Sequence, residues 1–369
     1  MNNTEIIEAA TVKRKINNDN YSKNDLDKIL EESLFFSHTE VEDQMPILWV
    51  EEPDRKIIIA SIGNISTIAG KAKAGKTFAT SAITAALLTT KKIIKFNGML
   101  PGDKKVVLYI DTEQSKRDCK KVLTRIAWMV NGNGTHPENL KYVRFRGKKP
   151  ELIMELLDRA IIKYPNIGAV VIDGVKDLIY SINSEKEATD ITISLMAWSE
   201  NNGIHIFNIL HENKADGNVR GHIGTELQNK SESVITVEKS KSEKNLFLIK
   251  PTMLRDKDFE DFAFCINNND IPEECDYNKK VELNKSKNPE DYSEDFHIEL
   301  LNMIFPTNNN CSWTELNKIL IEKFNEVHGL TIGESTIRKF NDYYFTKGYI
   351  INKGNGQRVK YQLNEIYAR

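Results

Sequence analysis

Cysteine is scarce. The 369 residues contain four, Cys119, Cys265, Cys275 and Cys311, and no two form a CxxC pair. Such scatter argues against a disulfide framework or a zinc site and favours reduced thiols. Ten prolines and 19 glycines are too few for a collagen-like or proline-rich chain. Long apolar runs are missing as well. Stretches such as 57–60 and 169–172 fall far short of the roughly 20 residues that span a bilayer. The first 20 residues hold no continuous apolar segment of the kind a secretory leader needs. Neither sign of charge dominates: Lys plus Arg is 51, Asp plus Glu is 53, and the net charge is −2. That excludes a uniformly basic nucleic-acid coat protein and leaves room for a local basic face. The expectation is a cytoplasmic protein with no membrane partner. At about 150 residues per domain, its length predicts two or three domains.

What is present changes along the chain. Residues 1–40 are polar and read as an N-terminal arm, with one short helix around 23–34 placing Leu26, Ile29 and Leu30 on a common face. Residues 41–268 alternate short β-branched runs with helical stretches. The strand candidates are 57–61, 65–68, 106–110, 142–145, 169–172, 205–210, 234–237, 246–249 and 262–265. The helix candidates are 76–88, 115–130, 152–163 and 188–200. Continuous apolar strands separated by helices predict an α/β core with a mostly parallel sheet covered on both faces. The strands from Val234 on follow one another without long helices and predict an antiparallel extension. Residues 269–292 are polar and read as a linker before a second compact unit, 293–369.

The strongest local signal is Gly70-Lys-Ala-Lys-Ala-Gly75-Lys76-Thr77, which fits GxxxxGK[ST] between a strand and an alanine-rich helix. Gly70 and Gly75 let the backbone wrap phosphates with its N–H groups at a helix N-terminus. Lys76 supplies a point charge for the β and γ phosphates, and Thr77 a hydroxyl for Mg²⁺. ATP with Mg²⁺ is the ligand this implies. Lys71 and Lys73 also lie in the loop, facing either phosphate or solvent.

Two apolar strands end in acids. One runs Val106 to Asp111-Thr-Glu113, the other Ile167 to Asp173. A carboxylate at a strand end beside the phosphate loop can hold the water shell of Mg²⁺, the role assigned to Asp173. Glu113 can polarise a water for attack on the γ phosphate, with Asp111 as the competing candidate. The alternative is that these acids cap helices at strand exits.

With these elements the stretch 45–268 resembles a RecA-like P-loop ATPase core, and more narrowly the plasmid RepA-type and DnaB-type hexameric helicase ATPases. The resemblance rests on 70–77, on Ile110-Asp-Thr-Glu113, on Val170-Val-Ile-Asp173 and on Ile209-Leu-His211. It implies that Glu113 is the catalytic base and that His211, where many relatives carry Gln, senses the γ phosphate. It implies contact of the loop bearing Lys214 and Arg220 with nucleotide or DNA; a solvated loop is the alternative. It also implies that Lys250 or Arg255 reaches the γ phosphate of a neighbouring subunit, although their spacing departs from the Lys-x-Arg pattern of DnaB-type proteins. Sites between subunits would require a homo-oligomer, a hexamer among the options.

Residues 293–369 read as a winged helix-turn-helix. Phe296, Leu300, Met303 and Ile304 make one helical stripe. Ser312-x-x-Glu315 is a capping box, and Leu316, Ile319, Leu320 and Phe324 make a second stripe. A third helix buries Ile337, Phe340 and Tyr344 and displays Arg338 and Lys339, and a hairpin around Asn355-Gly356 follows. From Gly333 to Arg369 seven cations face three anions, giving +4, which leaves −6 for the rest. That sign suits duplex DNA, with Arg338, Lys339, Lys353, Arg358 and Lys360 as contacts. A winged helix used for protein contact is the alternative. The sequence thus points to an ATP-driven DNA motor of a plasmid or integrative element, single-stranded DNA at its core and duplex at its tail. The alternative is an ATP-switched DNA-binding regulator or loader that unwinds nothing.

Overall fold

The structure, a computed structural model, describes residues 22–41, 43–212, 221–240, 243, 245–276, 288–306, 310–328, 332–353 and 360–367. It divides into two units, 1–43 and 44–369. In the first, helix α1 (Lys23–Glu32) starts at a capping box: Ser22 Oγ accepts from Asp25 N, and the Asp25 carboxylate accepts from Ser22 N. Leu26, Ile29 and Leu30 share its apolar face, and no residue of the helix is buried.

The second unit opens with strands β1 (Pro46–Glu52) and β2 (Arg55–Ser61), which pair antiparallel. Strand β3 (Ile65–Ala69) leads through the phosphate loop into α2 (Lys76–Leu88). The short strand β4 (Phe96–Gly98) returns to β1 and completes a three-stranded sheet ordered β2-β1-β4. Next come β5 (Val106–Asp111), α3 (Lys116–Asn131), β6 (Leu140–Arg144), α4 (Pro150–Lys163) and β7 (Ile167–Asp173). They are followed by α5 (Glu185–Asn202), β8 (His205–Ile209), α6 (Gly221–Lys230) and β9 (Ser233–Lys239). Strands β10 (Leu246–Leu254), β11 (Phe262–Ile266) and β12 (Pro272–Cys275) end the large sheet.

That sheet has nine strands in the order β12-β11-β10-β9-β3-β8-β7-β5-β6. From β6 to β9 every pairing is parallel; from β9 to β12 every pairing is antiparallel. The large, mostly parallel sheet fits the core expected of a P-loop NTPase. The side-chain period of two sends Val107 and Tyr109 of β5 to one face and Leu108 and Ile110 to the other. The first face packs on α2 and α3 through Ala79, Ile83, Val122 and Ile126. The second packs on α4, α5 and α6 through Leu157, Leu195 and Leu227. Covering on both sides is what lets these strands be apolar throughout.

Three features depart from the sequence expectation. Strand β9 joins β3 in parallel, because α6 precedes it and supplies the crossover such pairing needs. Pro272–Cys275, inside the segment read as a linker, is the edge strand β12. Its pairing with β11 brings Cys275 beside Cys265, and the two form a disulfide, in place of the reduced thiols expected from their spacing. Cys119 and Cys311 are free and buried.

The C-terminal segment builds α7 (Glu294–Ile304), α8 (Trp313–His328), α9 (Glu334–Thr346) and an antiparallel pair, β13 (Ile350–Lys353) with β14 (Lys360–Leu363). Ser312 and Glu315 form the capping box of α8. Cys311 forms a β-bridge to Tyr361, adding a third short extended piece beside the hairpin. The core here is aromatic: Phe324, Phe340 and Tyr344 are fully buried against one another. The hairpin turn, including Asn355 and Gly356, lies outside the described residues.

At the end of the large sheet opposite the phosphate loop, His205 is completely buried, and its Nδ1 lies 2.7 Å from the carbonyl of Ser61. Burial lowers its pKa from 6.5 to about 4. The unfolded chain takes up this proton below about pH 6.5, and the folded chain does not until about 4. Stability is therefore full above that window and falls as pH drops through it. At pH 5 the loss from this one group is about 2 kcal/mol. Urea unfolding of wild type and His205→Gln at pH 7.5 and pH 5 checks it: the gap between the two pH values should narrow in the variant.

Candidate functional site

Parallel strands end together, so the residues just past β3, β5, β7 and β8 meet at one edge of the sheet. Strand β8 lies between β3 and β7, and β7 lies between β8 and β5. Lys76, Glu113, Asp173 and His211 all follow or close these strands, and the structure brings them together.

The phosphate loop is shaped by glycine. Gly70 and Gly75 have φ of +155° and +92°, a region L side chains rarely occupy. A Cβ on Gly70 would sit 2.3 Å from the carbonyl oxygen of Val237, and one on Gly75 2.6 Å from a ring carbon of Phe247. The loop thus has room for backbone only. Helix α2 begins immediately after it, so unpaired N–H groups of its first turn point into the cradle. Lys76 is buried and folds back over its own loop. Its Nζ donates to the carbonyls of Gly70 (2.6 Å) and Lys71 (2.9 Å) and lies 3.1 Å from His211 Nδ1. Burial lowers its pKa, with the Asp173 charge acting against that shift. Lys71 and Lys73 are exposed.

His211 joins this lysine to an acid. An ammonium only donates, so Nδ1 accepts from Lys76, and the other nitrogen, Nε2, faces Glu113 Oε2 at 3.6 Å. Glu113 is also paired through Oε1 with Lys176 Nζ at 2.9 Å. The His211 contact is the largest of the influences that hold the Glu113 carboxyl down at about 2, and Lys176 adds to it.

Asp111, the competing candidate for the base, is fully buried and fully engaged. Its Oδ1 accepts the backbone N–H of Glu113 (3.1 Å) and of Gln114 (2.8 Å), and its Oδ2 accepts the Tyr142 hydroxyl at 2.6 Å. It shapes the turn that aims Glu113. Asp173 Oδ2 accepts the Tyr109 hydroxyl at 3.0 Å. Burial, reinforced by the nearby Asp111 charge, raises its pKa from 3.8 to about 7. Thr112 ties the two acid-bearing turns together. Its hydroxyl donates to Asp177 Oδ2 at 2.8 Å and accepts from Gly174 N at 2.9 Å.

The residues present fit a magnesium–triphosphate. The glycine cradle leaves space that any Cβ would fill, and the Thr77 hydroxyl and Asp173 carboxylate are the hard oxygen donors Mg²⁺ takes. The ion would supply charge neutralisation on the phosphate oxygens. The protein's own groups would do the rest: loop N–H groups and Lys76 are placed to bind phosphate, and Glu113 to orient and deprotonate a water.

Residues 37–217 match the family model described as an AAA domain. That segment is similar to AAA-type P-loop ATPase domains. No curated protein matches the chain. The matched segment contains the phosphate loop, Glu113, Asp173 and His211; β9–β12 and the C-terminal helices lie beyond it.

The other anticipated site residues are placed less centrally. Lys250 stands on β10 opposite Thr236 and pairs with Glu238 at 2.8 Å. The backbone of Arg255 bonds to Glu232, next to the Ser233 that pairs with Ser66. That is the start of β3, the end away from Gly70. Lys214 and Arg220 lie outside the described residues. Lys176 and Glu212 were missed by the sequence reading. Lys176 follows Asp173 by three positions but meets Glu113 only through pairing of β5 with β7. Glu212, next to His211, sits against the loop through a backbone bond to Gly70. Replacing Glu113 with Gln should leave binding of a fluorescent ATP analogue intact and slow turnover by roughly 10²–10⁴-fold, measured as phosphate release.

Proposed function

We propose that the chain is an ATP-hydrolysing DNA motor of the RepA-like, helicase type, acting in replication or mobilisation of a plasmid or integrative element. The observation that carries the reading is the convergence of Lys76, Glu113 and His211 at one strand edge, in contact through 3.1 and 3.6 Å steps. A chain of contacts from phosphate-binding lysine to base, ending beside Glu212, is what coupling hydrolysis to movement of a held strand requires. In this reading Lys214 and Arg220 contact that strand, and Lys250 or Arg255 serves a neighbouring subunit of a homo-oligomer.

The C-terminal segment acts here as a winged helix on duplex DNA. Three helices and a hairpin fit that architecture. Arg338 and Lys339 stand exposed on α9, and Lys353 and Lys360 stand exposed on β13 and β14. Lys353 is 3.8 Å from Glu365, an exposed pair worth little, so its charge is still available to phosphate. Arg358 lies outside the described residues. The setting is cytoplasmic; among the described residues no helix is long and apolar enough to cross a membrane.

Lys76→Ala should abolish phosphate release with or without DNA. Wild-type protein should show turnover stimulated by single-stranded DNA and should separate a forked duplex when ATP is supplied. Stimulation without strand separation would favour the switch or loader. A mass measurement on the same sample with nucleotide reads the assembly. Substituting Arg338, Lys339, Arg358 and Lys360 by Ala should weaken duplex binding and lower its salt slope, by ~0.9 for each phosphate contact removed.

A further inference from the structure

A strongly charged surface of the core has no part in the site above. The segment 141–149 carries Lys141, Arg144, Arg146, Lys148 and Lys149 and no acid. The start of α3 adds Lys116, Arg117, Lys120 and Lys121, with Asp118 as the one acid among residues 115–121. Asp118 is taken up by Ser115 and by Lys121, and Lys121 alone of these nine cations has an ion pair among the described residues. Lys116, Arg117, Lys120, Arg146, Lys148 and Lys149 are all exposed. The whole chain is at −2, so this is a local concentration of one sign rather than a general bias.

The two segments form one surface. Strands β5 and β6 are parallel neighbours, with Asp111 opposite Arg144. Past their ends, Arg144 Nε donates to the carbonyl of Gln114 at 2.9 Å, and Phe145 N donates to the carbonyl of Asp111 at 2.7 Å. Like charges held together by a fixed backbone repel one another unless an anion of matching extent lies across them. A single small anion meets one or two of these side chains; a polymer of phosphates meets them in series.

We propose that this surface binds the phosphate backbone of a single DNA strand, beside the nucleotide site and distinct from the cations of the C-terminal segment. The identity of the strand rests on the motor reading given above; the surface itself rests on the charge and its placement. No aromatic or large apolar side chain is exposed in 141–149 or 115–121, so contact is with backbone rather than bases and is indifferent to sequence. The placement also gives binding an effect. Gln114 and Asp111, which receive the two bonds from the basic segment, form the turn that aims Glu113. A strand drawn across the surface therefore bears on the catalytic carboxylate within two hydrogen bonds.

The test uses full-length protein carrying Arg146→Ala, Lys148→Ala and Lys149→Ala together, and a second variant carrying Lys116→Ala, Arg117→Ala and Lys120→Ala. Binding of fluorescein-labelled dT30 is followed across salt concentrations, and phosphate release is followed with and without the same oligonucleotide. Each variant should keep wild-type basal turnover, lose its stimulation by dT30, and show a log K against log salt slope shallower by about 2, since each single-strand phosphate contact contributes ~0.7. Unchanged slope and stimulation in both variants would overturn the surface and leave the motor reading intact. Failure of the wild type to bind dT30 or duplex of equal length would sink the motor reading, and this assignment with it. Poly-glutamate competing as well as dT30 for the wild type, with both lost in the variants, would mean a surface for acidic protein instead.

Discussion

Glu113 faces the phosphate loop because Asp111 Oδ1 accepts the backbone N–H groups of both Glu113 and Gln114. A carboxylate with no solvent exposure is expensive to bury, and it persists only when its lone pairs are occupied. Here two amides and the Tyr142 hydroxyl occupy them. The same buried charge adds to the effect of burial in raising the pKa of Asp173 on the adjacent strand, while Tyr109 donates to Asp173 from the face of β5 that stacks on Tyr142. The candidate base, the candidate magnesium ligand and the basic segment past β6 are thus tied to one buried acid and the groups around it. A change at Asp111 would be felt in all three.

Much of this was legible in the chain. The strands β3, β5, β7 and β8 are continuous apolar runs because helices cover both faces, and the loop motif is local, so neither needs tertiary information. The predicted bounds of α2 coincide with the observed ones. What escaped is what depends on partners distant in sequence. Strand β4 has three residues, and β12 buries only Pro272, so neither has an internal pattern to read. Helix α6 buries just Ile223, Gly224 and Leu227. The Cys265–Cys275 disulfide followed from a strand pairing in a stretch whose polarity suggested a linker.

The site shows the same division. Residue types at strand ends named Glu113 and Asp173, but the spacing alone left Asp111 and Glu113 as rivals. Burial separates them, and burial is a property of the assembled sheet. Lys176 could be read only as one more lysine after an apolar run. Its contact with Glu113 needs β5 and β7 in register. Lys250 and Arg255 differ for a like reason: the four residues Pro251–Leu254 of β10 carry the chain from Lys250, opposite Thr236, to Arg255 beyond Ser233, at the end of the sheet away from the phosphate loop.

The lysine of the phosphate loop has a further consequence. Its ammonium is already matched by two carbonyls and an imidazole, all supplied by the protein. An anion that draws it away must offset the loss of those three contacts. An anion with charge spread over several oxygens, such as the triphosphate the loop fits, would gain the loop's amide groups in exchange. The protein thus supplies its own counterpart to a buried charge, and the loop that would grip phosphate also satisfies the ammonium by itself.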